Sequence, residues 1–438
     1  MNKTNSRDYP QKNPNGPVKK SLRYSFYDGA FYSVMFGFGD TYLNPYIVAL
    51  KASAREIGLL TSIPSLLSSL TQHLAPGITS RLGRKKTFTT FVFLHAVMWI
   101  PIILIPYFFK TKAALWLIIF ATFYNIFATM GTPAWASVMA QYIPEKSRGK
   151  YFAFRTKSLQ YILLAASFTA GLILYFTGKA TLRGFTYIFA VSCACRFASW
   201  YYLTKMYEPP LVKEQESGLT FREFILGDKA KSFRDFVMFS SLMSLSMYTA
   251  IPFFPVYILR ELGYSYFTFV VINTAAPLFM LFTFSIWGRH ADKFGNVRVI
   301  KLTGIMLSIL PVLWLFSASK LFLFGINAFA GLVWAGYTLT TTNYIFESAP
   351  KQNRVKFVAF YTLINGIGLF LGPLAAGLII PNLPHINGSK YLTMFLISGI
   401  ARLLVWLAYA PRLKEIREVH AIGHKEFLFS VLGFKPMV

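Results

Sequence analysis

The chain has 438 residues, of which 55% are hydrophobic, 18% aromatic and only 14% charged. Soluble domains carry about 25% charged residues, and a charge near the bilayer centre costs several kcal/mol, so this deficit indicates long lipid-facing segments. A net charge of +27 is also typical of nucleic-acid-binding proteins. That class is excluded because the lysines and arginines form short clusters between apolar runs of about 20 residues, the length that spans a bilayer.

The first segment, residues 1–22, is polar and rich in Asn and Pro. It lacks the apolar core and cleavage site of a secretory signal peptide, so we expect a disordered cytosolic leader.

Twelve apolar runs follow in chain order, each long enough to cross a bilayer as a helix. They lie at 24–50, 57–80, 87–109, 113–143, 152–177 and 183–206, and then at 236–262, 265–288, 297–318, 321–349, 355–380 and 391–411. The sequence therefore predicts an all-α membrane protein with twelve transmembrane helices. Residues 23–206 and 236–411 would form two six-helix bundles, joined by a cytosolic linker at 207–235. We expect the tail, 412–438, to lie on the inner membrane surface as an amphipathic segment.

The distribution of positive charge predicts the orientation. With twelve spans, 33 of the 44 lysines and arginines fall on the side of the two termini, and 9 fall on the other side. Positive residues accumulate in cytosolic loops, so both termini are expected in the cytosol of a multi-pass plasma-membrane protein.

The two halves are related by an internal repeat at a shift of 206 residues. The loop Pro144–Phe154 aligns with Pro350–Phe360, with matches at Pro, Arg, Lys, Ala and Phe. The same shift places Ser192, Arg196 and Trp200 over Ser398, Arg402 and Trp406. Common membrane residues do not explain two intramembrane arginines that share one offset with a loop motif, so we infer a duplication.

Two loops at repeating positions resemble the signature of major facilitator transporters. The second-half loop reads Gly288-Arg-His-Ala-Asp292-Lys-Phe-Gly295-Asn-Val-Arg298, and the first-half loop reads Pro76-Gly-Ile-Thr-Ser80-Arg81-Leu-Gly83-Arg84. The second-half loop keeps the acid of the signature, as Asp292, whereas the first-half loop has Ser80 at that position. A further loop, Pro144-Glu-Lys-Ser-Arg148-Gly149, is similar to the family's Pro-Glu-x-x-Arg-Gly pattern.

The resemblance implies two pseudo-symmetric six-helix bundles that rock about a central cavity, as in the major facilitator fold. It also implies a cytosolic gate or latch. The candidates are Asp28, Arg81, Arg84, Arg148, Asp292, Arg298, Glu347 and Arg354. The alternative is that the basic residues of these loops only set the topology.

Polar side chains within the spans are candidates for a substrate or proton pathway. Asp40 and Asn44 share one face of the first helix, and a carboxylate there can carry a proton. The alternatives for Asp40 are a structural hydrogen bond to a neighbouring helix or a position in the outer headgroups. The other pathway candidates are Asn125, Tyr248, Asn273, the Thr340–Thr342 run with Thr341 at its centre, Asn343 and Asn365.

Arg196 and Arg402 lie midway along the last helix of each half. Anion recognition is one interpretation. Since the resemblance implies that these helices flank the cavity, we favour a structural role, in which each arginine binds helix carbonyls or an acid.

The sequence contains no phosphate-binding Gly-Lys-Ser/Thr loop and no histidine or cysteine spacing typical of a metal site. We therefore expect no cofactor, no metal and no enzymatic activity. The predicted function is alternating-access transport of a small organic solute, with either proton coupling through Asp40 or uniport. The high aromatic content leans slightly towards efflux of amphipathic compounds. Uptake of a polar metabolite by facilitated diffusion, and a non-transporting receptor or scaffold, are the alternatives.

Overall fold

The computed structural model describes residues 16–109, 111–143, 145–178, 182–210, 231–348, 354–417, 419 and 426, without the side chains of 145–150, 153 and 354–356. The described chain is helical, apart from one isolated bridge between Ile386 and Ser389. A buried apolar core runs through both halves. This confirms the predicted all-α membrane fold.

The described part of the first half contains ten helices. They are α1 (Pro17–Phe38), α2 (Asp40–Ala49), α3 (Ala54–Gln72), α4 (Ala75–Leu82), α5 (Arg84–Val97), α6 (Trp99–Phe108), α7 (Ala113–Met130), α8 (Thr132–Tyr142), α9 (Glu145–Thr177) and α10 (Arg183–Thr204). Helix α1 begins with proline, whose missing N–H costs nothing at a first helical position. It therefore begins inside the segment predicted as a leader, of which residues 1–15 lie outside the described residues.

The described part of the second half contains seven α-helices. They are α11 (Lys231–Tyr248), α12 (Phe254–Val256), α13 (Tyr266–Phe294), α14 (Asn296–Leu313), α15 (Lys320–Ser348), α16 (Arg354–Ile379) and α17 (Lys390–Tyr409). A 3₁₀ turn at Ile251–Phe253 and a π-turn at Tyr257–Glu261 flank α12. Residues 211–230 of the predicted linker and most of the tail beyond 417 lie outside the described residues.

Nine helical segments of the described chain are long and apolar enough to cross a membrane. They are Arg84–Phe108, Ala113–Tyr142, Phe154–Thr177, Lys231–Glu261, Tyr266–Phe294, Asn296–Leu313, Lys320–Ser348, Phe357–Asn382 and Lys390–Arg412. The segments at 17–49, 54–82 and 183–204 are also helical, but they are not among these nine. Twelve spans and cytosolic termini therefore stay predictions.

Matching turns in the two halves agree with the inferred duplication. Gly83, which precedes α5, and Gly295, which precedes α14, adopt nearly the same backbone conformation, with φ/ψ of 85°/155° and 96°/153°. A positive φ strains residues that carry a Cβ, which is why both turns have glycine. In each turn an acidic side chain caps the following helix. Glu208 accepts a hydrogen bond from the Arg84 amide at 3.0 Å, and Glu415 accepts one from the Val297 amide at 2.9 Å.

The two halves pack tightly at the end of the molecule opposite the termini, which we call the distal end (residues 48–58, 260–267 and 373–382). Gly58 of α3 lies against the Pro373 carbonyl of α16, with no room for a Cβ between them. Arg260, from the second half, donates hydrogen bonds to the Ala52 carbonyl at 2.8 Å and to the Val48 carbonyl at 3.3 Å. This packing seals the distal end. The opposite end, with the turns at Gly83 and Gly295, is the proximal end.

Candidate functional site

A cavity of about 230 Å³ lies in the second half, between α11, α15 and α16. Trp334 and Leu369 place it near the middles of α15 and α16, and Thr342 and Tyr361 extend it towards the proximal end. The lining residues are polar or aromatic with two exceptions: Ser240, Ser244, Met247, Tyr248, Trp334, Tyr337, Thr338, Thr341, Thr342, Tyr361, Asn365 and Leu369. None of them is charged.

Helical periodicity produces this lining. Ser240, Ser244 and Tyr248 recur every four residues along α11, and Tyr361, Asn365 and Leu369 do so along α16, so each set forms one stripe. The two stripes face each other because the helices approach closely: a Cβ on Gly368 would lie 2.6 Å from the Ser241 carbonyl oxygen. Small residues permit such contacts between membrane helices.

Several polar atoms of the cavity wall have no hydrogen-bond partner among the described residues. They are the Tyr337 hydroxyl, Thr341 Oγ1 and Asn365 Oδ1. Ser240 and Thr341 are close enough to interact electrostatically with the Tyr337 hydroxyl, although no hydrogen bond of normal geometry joins them. A buried polar group without a partner costs about 1–3 kcal/mol, so such groups mark places where a ligand or water is bound.

The first half has a different interior, in which buried charged groups are paired. Ser199 donates to Asp28 Oδ1 at 2.7 Å, and the Arg155 guanidinium lies 3.8 Å from Asp28 Oδ2. Arg196 donates to Ser199 at 2.9 Å and, through Nε, to His95 Nδ1 at 2.7 Å. The result is a continuous polar chain between α1, α5, α9 and α10.

Asp40 continues this network towards the distal end. The first helical segment breaks at Gly39, so Asp40 is the first residue of α2 and lies at a helix N-terminus, which favours an anion. The Tyr124 hydroxyl donates to Asp40 Oδ2 at 2.5 Å, and the centroids of the Tyr124 and His95 rings are 4.0 Å apart. Asp40 is partly exposed, whereas Tyr124 and His95 are buried.

The predicted pathway residues fall into separate groups. Tyr248 and Thr341 line the cavity. Asn125 is partly buried on α7 and donates to the Ala121 carbonyl of its own helix at 2.9 Å, and Asn44 is partly exposed on α2. Asn343 lies outside the cavity wall and donates to Asn296 at 3.4 Å, at the proximal end of α14.

Some predicted gate residues at the proximal end pair within their own half. Glu347 accepts a hydrogen bond from Asn296 at 2.8 Å and lies 3.8 Å from the Arg417 guanidinium. Arg417 also lies 4.0 Å from the exposed Asp292. These contacts tie the start of the tail to α13 and α15.

The first-half gate residues are arranged similarly. The buried Arg84 guanidinium lies 3.7 Å from Glu208 and also donates to Ser137 at 3.3 Å and to the Pro209 carbonyl. Asp28 belongs to the buried chain described above. Arg81 is exposed at the end of α4, and Arg298 is partly exposed in α14. The side chains of Arg148 and Arg354 lie outside the described residues.

The two intramembrane arginines differ in their partners. Arg196 bonds to the side chains of His95 and Ser199, as given above. Arg402 donates to the main-chain carbonyls of Leu307 at 2.8 Å and Met247 at 3.4 Å. These are contacts that a structural role requires, and that role stays a prediction.

Sequence reasoning missed Tyr337, Tyr361, Ser240 and Ser244 as cavity residues and His95 as part of the buried chain. The four-residue polar stripes on α11 and α16 are a signal that could have identified Ser240, Ser244 and Tyr361, whereas Tyr337 lies on α15 and belongs to neither stripe. His95 carries no such signal, because its role depends on contacts with α7 and α10 that are distant in sequence.

Solved structures of membrane transporters share this fold. A nucleoside transporter, NupG, superimposes with a TM-score of 0.69 at 12% identity and covers 91% of this chain and 100% of its own. A D-xylose–proton symporter gives 0.69 at 14%, covering 92% and 99%. A bacterial homologue of the human lysosomal transporter Spinster, in an inward-facing and unoccupied conformation, gives 0.66 at 16%, covering 92% and 97%.

Sequence comparisons agree with the fold. An uncharacterized protein in the sodM 3′ region of Geobacillus stearothermophilus is 27% identical over 154 residues, which are 35% of this chain and 70% of that protein. The profile of the Major Facilitator Superfamily matches residues 29–270 and 235–434, which together cover nearly the whole chain after the predicted leader. The chain belongs to the Major Facilitator Superfamily, and its architecture is that of a membrane transporter of small solutes.

Proposed function

We propose that the protein carries a small polar solute across the plasma membrane by alternating access, with the solute bound at the second-half cavity. The observation that supports this most strongly is the position of the cavity. It lies on the proximal side of the tight contacts between the halves, and its wall holds polar atoms without partners.

The contacts between α3 and α16 explain how one end is closed. They run from Gly58 and Gly377 at the distal end to the middle of α16 and the last turn of α3, where a Cβ on Gly366 would lie 2.9 Å from Ser69 Oγ. Gly366 directly follows Asn365 of the cavity wall. A solute in the cavity is therefore screened from the distal side, and rocking of the halves would break these contacts and expose it there.

In this proposal the proximal end faces the cytosol, which the excess of positive charge on the side of the termini supports, and the described conformation is inward-facing. The cavity volume also bears on the cargo. Pockets for drug-sized ligands measure about 300–1,000 Å³, so a cavity of about 230 Å³ favours uptake of a small metabolite over efflux of amphipathic compounds.

A distal lock tests the transport cycle. Arg55→Cys with Gly377→Cys, in a background without Cys193 and Cys195, places two thiols where a Cβ on Gly377 would lie 3.2 Å from the Arg55 Cα. Liposomes containing this variant are loaded with a mixture of neutral, acidic, basic and amphipathic solutes, and mass spectrometry records which solute leaves. Oxidation should stop the loss and a reductant should restore it, whereas neither should affect the Gly377→Cys single variant.

If no solute leaves liposomes that contain the reduced variant, transport is contradicted and the receptor or scaffold alternative is favoured. Loss that continues unchanged after complete crosslinking would contradict alternating access.

Proton coupling through Asp40 is a second part of the proposal. Asp40 is partly exposed, accepts a hydrogen bond from Tyr124, and is linked through the Tyr124–His95 ring contact to Arg196. A carboxylate at the end of such a chain can exchange a proton without leaving Arg196 unpaired. Asp40→Asn should therefore retain solute exchange but lose accumulation driven by a pH gradient. Accumulation equal to that of the wild type would show that Asp40 does not carry the proton.

A further inference from the structure

The chemistry of the second-half cavity indicates which class of solute it binds, and this step rests on the proposed function. The first observation is its neutrality. An ionised carboxylate or ammonium group taken from water into a buried site needs an opposite charge, and none of the lining residues provides one.

The buried charges of the first half do not provide that partner either. Asp28 is held by Ser199 and Arg155, Arg196 by Ser199 and His95, and Asp40 by Tyr124. Breaking such pairs to bind a charged solute would leave a buried charge uncompensated. Arg402, a buried cation of the second half, donates to the Leu307 and Met247 carbonyls and is not among the lining residues. The described interior therefore favours an uncharged solute.

The second observation is the kind of polar atom that the wall offers. The hydroxyls of Tyr337 and Thr341 can donate or accept, and Asn365 Oδ1 is an acceptor. All three lack a partner among the described residues, and the side chains of Tyr337 and Thr341 are 5% and 7% exposed. A solute whose hydroxyls both donate and accept satisfies all three at once.

The third observation is the aromatic part of the wall. Trp334 and Tyr337 are neighbouring rings, with centroids 6.1 Å apart and planes 88° to each other, and Tyr248 and Tyr361 complete the set. Aromatic faces bind flat apolar surfaces, whereas hydroxyls bind polar edges. A compact ring with C–H faces and a hydroxylated edge fits both features of this wall.

We propose that the cavity binds an uncharged, polyhydroxylated ring, either a free monosaccharide or the sugar of a nucleoside. Thr341 and its neighbour Thr340 provide a matched test. Thr340 is also buried on α15, but its hydroxyl already donates to the Gly336 carbonyl at 2.7 Å. Thr341→Val and Thr340→Val thus remove hydroxyls of the same size, one without a partner and one already paired.

The experiment measures the unfolding temperature of the purified full-length protein in detergent against the concentration of each compound. A ligand that binds the folded state stabilises it by RT ln(1 + [L]/Kd), so the rise of this temperature with ligand concentration reports the affinity. The panel contains glucose, xylose, ribose, uridine, glutamine, citrate and tetraphenylphosphonium. Stabilisation by glucose or xylose without uridine identifies a monosaccharide site, and stabilisation by uridine without the free sugars identifies a nucleoside site.

We expect the stabilising compound to bind Thr341→Val about tenfold more weakly than the wild type, which is the loss of roughly one hydrogen bond. Thr340→Val should bind it as the wild type does. A cooperative unfolding transition of each unliganded variant shows that both variants fold.

Stabilisation only by citrate, glutamine or tetraphenylphosphonium would overturn the inference, as would a sugar or nucleoside that binds both variants equally. Stabilisation by no compound in the panel would also count against it. If a sugar or nucleoside binds but is not transported in liposomes, the proposed function is contradicted and this inference stands. If the protein transports a charged solute, this inference is contradicted and the proposed function stands.

Discussion

The two halves share one helical plan but differ in what they bury. The first half holds a chain of ionisable groups, from Arg155 through Asp28 and Ser199 to Arg196, and each has a partner. The described second half holds a cavity without charge, whose wall includes polar atoms without partners. Satisfied charges make a bundle rigid, whereas unsatisfied hydroxyls make a binding site, so we assign these tasks to different halves.

Equivalent positions show how the difference arose. Gly83 and Gly295 begin matching helices 212 residues apart, and the same distance separates His95 from Leu307. Arg196 donates to the side chain of His95, whereas Arg402 donates to the main-chain carbonyl of Leu307. The arginine position is retained after duplication, and the change of one facing residue decides whether a polar side-chain network forms.

The largest expected effect comes from replacing each arginine by methionine, which has a similar length. Arg196→Met removes a cation that compensates the buried Asp28 and should lower the free energy of unfolding by about 3 kcal/mol. Arg402→Met should lower the free energy of unfolding by less than about 1 kcal/mol. The carbonyls that lose the arginine lie within helices and keep their main-chain hydrogen bonds. Unfolding by SDS in mixed micelles measures both. Equal losses would show that the two arginines have the same role.

A second prediction concerns the contact that joins the halves. Gly58→Ala forces a Cβ against the Pro373 carbonyl, and overpacking of this kind costs about 1–3 kcal/mol. The cost falls on the distally closed state, so a thiol at Ala52→Cys, a residue that is 2% exposed in the described structure, should become about 5- to 150-fold more reactive with a membrane-impermeant reagent. Gly77→Ala is the control, because nothing lies within 4 Å of its Cβ. Equal reactivity in the two variants would exclude the distal seal.

Substitution of the acids that cap the helices after the two turns should change the free energy of unfolding less. Glu208→Gln removes the carboxylate beside the buried Arg84, and we expect a loss of about 1 kcal/mol in the free energy of unfolding. Glu415→Gln should cost less, since Glu415 caps α14 mainly through the Val297 amide. The same SDS titration measures both variants. A larger loss for Glu415→Gln would reverse the predicted contrast between the two turns.

The smallest effect is a pH dependence at Glu415. Burial raises the pKa of this carboxyl above its usual value. A raised pKa means that the fold favours the protonated form, so this contribution to stability is lost as the pH rises through that pKa. The unfolding temperature of the wild type relative to Glu415→Gln should therefore fall as the pH rises above the usual pKa of a glutamate. A rise instead of this fall would contradict the assignment.

Sequence reasoning predicted much of the fold, because apolar runs and positive loops follow directly from the properties of the bilayer. It also identified Tyr248, Thr341 and Asn365 as cavity candidates. It could not place Asn343, because a position on α15 does not reveal which neighbour faces it; in the structure that neighbour is Asn296. The unpartnered state of the Tyr337 hydroxyl was equally inaccessible, since it depends on three helices packed together.

Counterflow in liposomes tests the central claim, that the second-half cavity binds the transported solute. Vesicles containing the wild type, Thr341→Val or Thr340→Val are loaded with the unlabelled solute and then exposed to a trace of labelled solute. We predict transient accumulation in all three, with half-saturation about tenfold higher only in Thr341→Val. Equal half-saturation in both variants, or no accumulation with the wild type, would contradict the account.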